Sequence, residues 1–273
     1  MAEEQRIHTA RTLAESFAAA GVEAGQTLLL HSSMGKIGGW ICGGAEAVIQ
    51  GLLAVLGTEG TLVMPTHTAD NTDPARWENP PVPEAWWEII RRETLPYQPA
   101  TTQTFMMGAI PESFRTYPGV LRSNHPIGSF AASGKHAAMM TAPQPLEPMF
   151  GEDSPIGRLY QLDAHILLLG VGYDNCTSLH LAEYRADFPT KRFHQEGCAM
   201  LTEHGREWVQ FEMMALDTDD FATIGEQFEA AHPAAVQVGM IGNARTRLIR
   251  QRPLVDFAHR WMEMYRKETE GQA

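Results

Sequence analysis

The apolar positions of this chain change period several times along its length. Between Ala10 and Ala20 they recur at helical spacing, and Gly21 is placed to end that helix. Thr27-Leu-Leu-Leu-His31 is instead a short continuous apolar run, the pattern of a strand covered on both faces. A second helix is predicted over Ala45 to Leu56, closed by Gly57, and a second strand over Thr61-Leu-Val-Met, stopped at Pro65. Strand, helix and strand in that order predict a parallel pair with a right-handed crossover. Ile166 to Leu169 repeats the buried-strand pattern, and Gly170 and Gly172 then permit a sharp turn and close ligand approach. Ligands in such sheets bind beyond the carboxyl ends of the strands. His31-Ser32-Ser33, Pro65-Thr66-His67 and Gly170-Val-Gly172 are therefore three candidate site segments converging on one edge.

The span from Ala69 to Pro99 differs in character, being rich in proline, tryptophan and acids. Its aromatics favour an ordered insertion, with one helix near Pro83 to Glu93. Met107 to Tyr117 and Gly134 to Met140 are read as helices, separated by the polar loop Arg122-Ser-Asn-His-Pro126. Cys198 to Thr202 and Trp208 to Met213 are strand-like, and a helix from Leu254 to about Lys267 closes the chain. The expectation is one domain over 1–273 with an α/β fold. Its central mixed, largely parallel sheet is flanked by helices, and the helical insertion at about 69–99 forms part of a substrate cleft.

Composition narrows the function classes. The formal charge of −12 disfavours nucleic acid and anionic membrane, which require a basic face, and suits a cationic partner. No apolar run approaches the roughly 20 residues of a membrane helix, and Met-Ala-Glu-Glu-Gln-Arg lacks the layout of a signal peptide, so a cytoplasmic location is expected. Cys42, Cys176 and Cys198 are odd in number and irregularly spaced, which predicts reduced thiols.

The chemistry concentrates after the third strand. Thr177 or Asn175 is placed to cap a helix on which His180 and Glu183, three residues apart, share a face. Asp174 lies just before that helix, where it competes with Glu183 as the partner of the imidazole. A carboxylate beside a histidine is the usual means of holding one tautomer for general acid–base work.

Several segments together resemble the aminoglycoside 3-N-acetyltransferases of the antibiotic N-acetyltransferase family. They are His31-Ser-Ser, Trp77-Glu-Asn-Pro-Pro-Val-Pro, Met107-Gly-Ala-Ile-Pro-Glu112, Arg122-Ser-Asn-His-Pro126, Phe150-Gly-Glu-Asp-Ser-Pro155, and Leu168-Leu-Gly-Val-Gly172 through Thr177-Ser-Leu-His180-Leu-Ala-Glu183. The resemblance runs over nearly the whole chain in matching order. It implies acetyl transfer from acetyl-CoA, as cosubstrate and with no metal, to the 3-amino group of a 2-deoxystreptamine antibiotic. It implies His180 as general base with Glu183 to orient or assist it, and His31 to Ser33, Met107 to Ala109 and Arg122 to Pro126 around CoA.

On that reading further residues acquire roles. Thr177 is a candidate donor to the developing oxyanion. Ser32 and Ser33 offer amides and hydroxyls to the pantetheine arm or the thioester carbonyl, with His31 beside them pointing to the opposite face. Lys36, Arg122, Ser123 and His125 offer cationic and hydrogen-bonding groups to CoA phosphates, and Gly108 and Ala109 complete the cofactor set. Gly38-Gly39 and Gly43-Gly44 flank Trp40 before a helix, where exposed amides suit a diphosphate. Asp70, Asp73, Glu84 and Glu88, interleaved with tryptophans, suit a polycationic sugar. The expected acceptor is thus a cationic aminoglycoside, with no nucleic acid or membrane partner, and the protein is a monomer or homodimer. The alternatives are a thioester route through Cys176, a metal hydrolase recruiting His194 or His204, an acetyltransferase for a different amine, and a non-catalytic CoA or antibiotic binding protein.

Overall fold

The computed structural model describes residues 6–266, so the expected helix end at Lys267 and residues 1–5 lie outside it. In chain order the strands are β1 (Ile7–His8), β2 (Thr27–Ser32), β3 (Trp40–Ile41), β4 (Thr61–Pro65), β5 (Leu121–Arg122), β6 (Phe130–Gly134), β7 (His165–Leu169), β8 (Phe193–Thr202), β9 (Gly205–Met214), β10 (Val236–Ile241) and β11 (Ala244–Arg250). The helices are α1 (Ala10–Ala19), α2 (Met34–Ile37), α3 (Gly44–Leu56), α4 (Trp87–Glu93), α5 (Ala109–Arg115), α6 (Ala137–Met140), α7 (Pro155–Gln161), α8 (Leu179–Arg185), α9 (Phe221–Ala231) and α10 (Gln251–Tyr265).

The main sheet has the order β10-β11-β7-β2-β4-β6-β5. Its centre is parallel: β2 pairs with β4 on one side and β7 on the other. Strands β11 and β6 run antiparallel to these, and β10 and β5 reverse again, so five of the seven strands share one direction. The continuous apolar runs follow from burial on both faces. Leu29, Val63, Ile166 and Leu168 point into a core shared with α7, α8, α9 and α10. Leu28, Leu30, Leu62, Met64, Leu167 and Leu169 point the other way, against Leu13 and Phe17 of α1 and Ile49 and Leu52 of α3. Each of these central strands alternates its side chains between two covered faces, which is why apolar residues dominate both.

The insertion contains the expected helix, entered through a 3-10 turn at Glu84–Trp86. The helix expected over Gly134 to Met140 is shorter, Ala137–Met140, because Gly134 ends a strand, Phe130–Gly134, that pairs with β4 and had no reading of its own. Alanine-rich sequence favours helix locally, but the ladder to the buried β4 overrides that preference. Gly134, at φ +111, lies so close to β4 that a Cβ would sit 2.1 Å from the Gly60 carbonyl oxygen. The strand-like segments near Cys198 and Trp208 are the inner parts of a longer antiparallel hairpin, β8–β9. Among the described residues no helix is long and apolar enough to cross a membrane.

Candidate active site

The three strand ends do meet. His31 and Ser32 from β2, Pro65 and His67 from β4 and Val171 after β7 border one cavity of about 470 Å³. Asn175, Cys176, Thr177 and His180 line it as the chain turns from β7 into α8, and Met106, Met107, Met149, Phe150, Met213 and Leu216 enclose it. Gly170 takes φ +68 where the chain leaves β7, a conformation that disfavours any residue with a Cβ. Gly172 has an ordinary negative φ; its contribution is space, because a Cβ there would lie 2.3 Å from the Asp174 carboxylate.

A 3-10 turn, Tyr173–Asn175, then leads to α8. Gly225 of α9 packs on that turn so tightly that a Cβ would overlap the Tyr173 ring at 2.0 Å. This brings Phe221, at the start of α9, into contact with His180, with ring centroids 4.9 Å apart. Phe150 stacks on the same imidazole at 5.4 Å and an interplanar angle of 17°. The ring is thus 8% exposed, in contact with two phenyl groups.

His180 Nδ1 lies 2.8 Å from Glu183 Oε2. The i, i+3 spacing on α8 makes that contact possible, and burial of Glu183 to 1% exposure removes competition from water. An ionised carboxylate only accepts, so Nδ1 carries the hydrogen and Nε2 presents its lone pair. Nε2 makes no hydrogen bond with any described residue. The other oxygen, Glu183 Oε1, accepts from the Asp217 amide at 3.0 Å and from Arg266 Nη1 at 2.8 Å.

Asp174 also stands on the cavity wall, whose other two histidines are neutral. Burial, reinforced by the neighbouring His180, depresses His31 to about 3. Burial and the surrounding His31, His180, His125 and Arg122 depress His67 likewise to about 3. Both are neutral at physiological pH, and each has a buried Nε2 without a hydrogen-bond partner among the described residues. Burial pushes the Cys176 thiol up to about 12, so it is not poised as a thiolate nucleophile.

The other expected residues lie partly on this wall, as Asp174 and Thr177 do, and partly outside it. Asp174 is exposed and accepts from Asn175; Glu183, not Asp174, is the partner of His180. Thr177 lines the cavity, but Ser178 occupies the cap position of α8 and no side chain caps it, so neither Thr177 nor Asn175 does. Ser33 precedes α2 without capping it, and its amide donates to Leu169. Lys36 is exposed, its stem over Gly170, and Gly108 and Ala109 are exposed at the start of α5, while Met106 and Met107 reach the cavity instead. The paired glycines around Trp40 border a separate surface hollow with Met34.

The polar groups of the Arg122 loop are engaged within the fold. Arg122 donates to Thr66 O at 2.7 Å, to the hydroxyls of Thr66 and Ser129, and to the carbonyls of Pro99 and Thr102, and its guanidinium lies 5.1 Å from the Tyr97 ring. Ser123 Oγ accepts from the Phe130 amide. His125 Nδ1 accepts from the amides of Ile127 and Gly128, and Nε2 donates to Leu146 O. These groups tie the loop to the sheet and have little left for a phosphate. The acids of the insertion are also occupied or remote. Asp73 is buried, accepts from the Ala75 amide and pairs with Arg91, and Glu88 pairs with the same Arg91. Asp70 and Glu84 are exposed and, like Asp73 and Glu88, do not line the cavity, which the insertion borders through Ala69 and Thr72.

Arg266, Asp217, Phe150 and Phe221 shape the site without having been singled out for it. Phe150 opens one of the segments shared with the family, which was a usable signal. Arg266 and Asp217 lie 83 and 34 residues from Glu183, and no local spacing announces them.

Residues 29–263 match the family model described as aminoglycoside 3-N-acetyltransferase. The chain is 43% identical over 254 residues to the SPbeta prophage-derived aminoglycoside N(3')-acetyltransferase-like protein YokD of Bacillus subtilis (strain 168), covering 93% of this chain and 92% of that protein. The crystal structure of YokD superposes with a TM-score of 0.88 at 42% identity, over 93% of this chain and 98% of that one. Aminoglycoside N(3)-acetyltransferase VII of Streptomyces paromomycinus is 35% identical over 93% of this chain and 91% of its own length. The structure of AAC-IIIb in binary complex with CoASH has a TM-score of 0.83 at 29% identity, covering 94% of this chain and 97% of that chain. With the His180–Glu183 pair set at the sheet edge and this likeness spanning almost its full length, the chain belongs to the aminoglycoside 3-N-acetyltransferase family.

Proposed function

We propose that this protein transfers the acetyl group of acetyl-CoA directly to the 3-amino group of a 2-deoxystreptamine aminoglycoside, with His180 as general base and Glu183 as its orienting partner. The observation that carries the reading is the asymmetry of the imidazole: Nδ1 is committed to Glu183 at 2.8 Å, while Nε2 has no partner among the described residues in a ring that lines the cavity. The amine, in its neutral form, attacks the thioester carbonyl. A C–N bond forms, the C–S bond breaks, and the amine proton passes to Nε2 and on to the departing thiolate, giving CoA as the free thiol. Such a base is typically worth about 100- to 10,000-fold in rate. Thr177, at the cavity wall, is the candidate hydroxyl donor to the oxyanion.

Family membership and the CoASH complex of AAC-IIIb support acetyl-CoA as the donor. The net charge of −12 favours a polycationic acceptor at the level of long-range attraction. A covalent route through Cys176 is disfavoured by a thiol held protonated. The test is His180→Ala assayed by thiol release from acetyl-CoA with a 2-deoxystreptamine aminoglycoside such as gentamicin. Turnover is expected to collapse with CoA binding retained, and a near-normal kcat defeats the assignment.

A further inference from the structure

Glu183 is held from two sides, and only one of them is His180. Its far oxygen accepts from Arg266, which is 7% exposed. Arg266 in turn forks Asp220 through Nε at 2.7 Å and Nη2 at 2.8 Å, and Nη2 also donates to the Asp217 carbonyl at 3.2 Å. Its guanidinium lies 4.9 Å from the Phe188 ring, which leaves it little freedom. The line Asp220–Arg266–Glu183–His180 therefore runs through hydrogen-bonded groups from the half-buried Asp220 at the head of α9, through buried Arg266 and Glu183, to the cavity.

We infer that Arg266 is a positioning residue for the acetyl transfer, acting through Glu183 on His180; the inference rests on the reading of His180 as the base. A carboxylate at 1% exposure has little water to bond it and depends on the groups around it, here His180, the Asp217 amide and Arg266. A protonated Glu183 can donate to Nδ1, which would move the ring hydrogen to Nε2 and leave no lone pair toward the cavity. Arg266 and the Asp217 amide both donate to the far oxygen, an arrangement that suits an accepting carboxylate and so the tautomer that takes the substrate proton. Burial alone would lower the Arg266 pKa, but the hydrogen bonds it donates to Asp220 and Glu183 outweigh that and raise it above its ordinary value. The other groups facing this line are few. His31 and His67 face His180 and are neutral above about pH 3 to 4. Lys191 faces Glu183 and Arg266, and Tyr184 faces Glu183.

Arg266→Met is expected to lower kcat about 10- to 100-fold, the usual effect of removing a partner one step behind a functional group. KM for acetyl-CoA and for gentamicin should stay within about twofold, and the acid limb of the kcat–pH profile should move to higher pH. In an Glu183→Gln background, where the tautomer no longer depends on an ionised carboxylate, the same substitution should cost nothing further. A kcat within twofold of wild type with an unmoved acid limb overturns the inference, and so does an equal loss in both backgrounds. If Arg266→Met fails to fold, Arg266→Lys decides: it keeps a cation but loses the fork to Asp220, so lower kcat at unchanged KM supports the inference and wild-type kcat overturns it. His180→Ala, run alongside, separates the two claims. If it is active, the base assignment itself fails; if it is inactive while Arg266→Met is normal, only the role of Arg266 fails.

Discussion

Two histidine-bearing segments, the Arg122–Pro126 loop and the start of α8, have much in common as sequence and little as structure. In the loop, both nitrogens of His125 are engaged by main-chain groups, and Arg122 donates to two hydroxyls and three carbonyls. In α8, one nitrogen of His180 is fixed by Glu183 and the other is left toward the cavity. The difference teaches that residue type marks only the capacity to react. The role follows from which donors and acceptors the fold leaves uncommitted.

The sharpest way to break this contrast is to remove one side chain from each segment. His180→Ala should lower kcat by about 100- to 10,000-fold while the denaturation midpoint barely moves. The acid side of the stability curve tests the wider claim that the remaining histidines are structural. His31, His67 and His125 have folded pKa values of about 3, 3 and 4, below the ordinary value of 6.5. The unfolded chain therefore binds protons first as pH falls, so their stabilisation is complete above about pH 6.5 and is lost progressively toward pH 4 and 3. Urea midpoints should hold level from about pH 7.5 to about 6.5 and fall from there to about pH 4.5; a flat profile throughout would contradict the neutral, buried assignments. Arg122→Met should give the inverse signature of His180→Ala. Losing its charged hydrogen bonds should destabilise the protein by about 3 kcal/mol, with KM for acetyl-CoA unchanged in the folded fraction. A raised KM at full stability would return the loop to the cofactor. The smallest effect belongs to Glu84→Gln and Glu88→Gln, at exposed positions away from the cavity, which should shift KM for gentamicin less than about twofold in an initial-rate assay.

The legible parts of the molecule were those in which sequence neighbours decide the structure. The buried strands β2, β4 and β7 and the helix α3 announce themselves by period and by closing glycine or proline. His180 and Glu183 could be paired from spacing alone, because three residues along a helix is contact distance. Arg122 and Asp73 could not be assigned in that way: the partners that occupy them, Thr66 and Arg91, lie 56 and 18 residues away. The strand Phe130–Gly134 was hidden for the same reason, since its identity derives from β4, not from its own alanines. Family resemblance pointed to His180 and to the Arg122–Pro126 loop alike, and only the structure shows that the loop's polar groups are bonded within the fold while one nitrogen of His180 is not.

The two phenyl groups that touch His180 carry a directional consequence. A ring stacked on Phe150 and abutting Phe221, with one nitrogen tethered, cannot swivel to hand a proton to a second location. Whatever Nε2 takes up it must surrender from the same edge, so the incoming nitrogen and the outgoing sulfur have to meet on one flank of the imidazole. On the proposed reaction the antibiotic and the nucleotide thioester are then bound together, and ternary-complex kinetics are the expected signature of a side chain that has nowhere to turn.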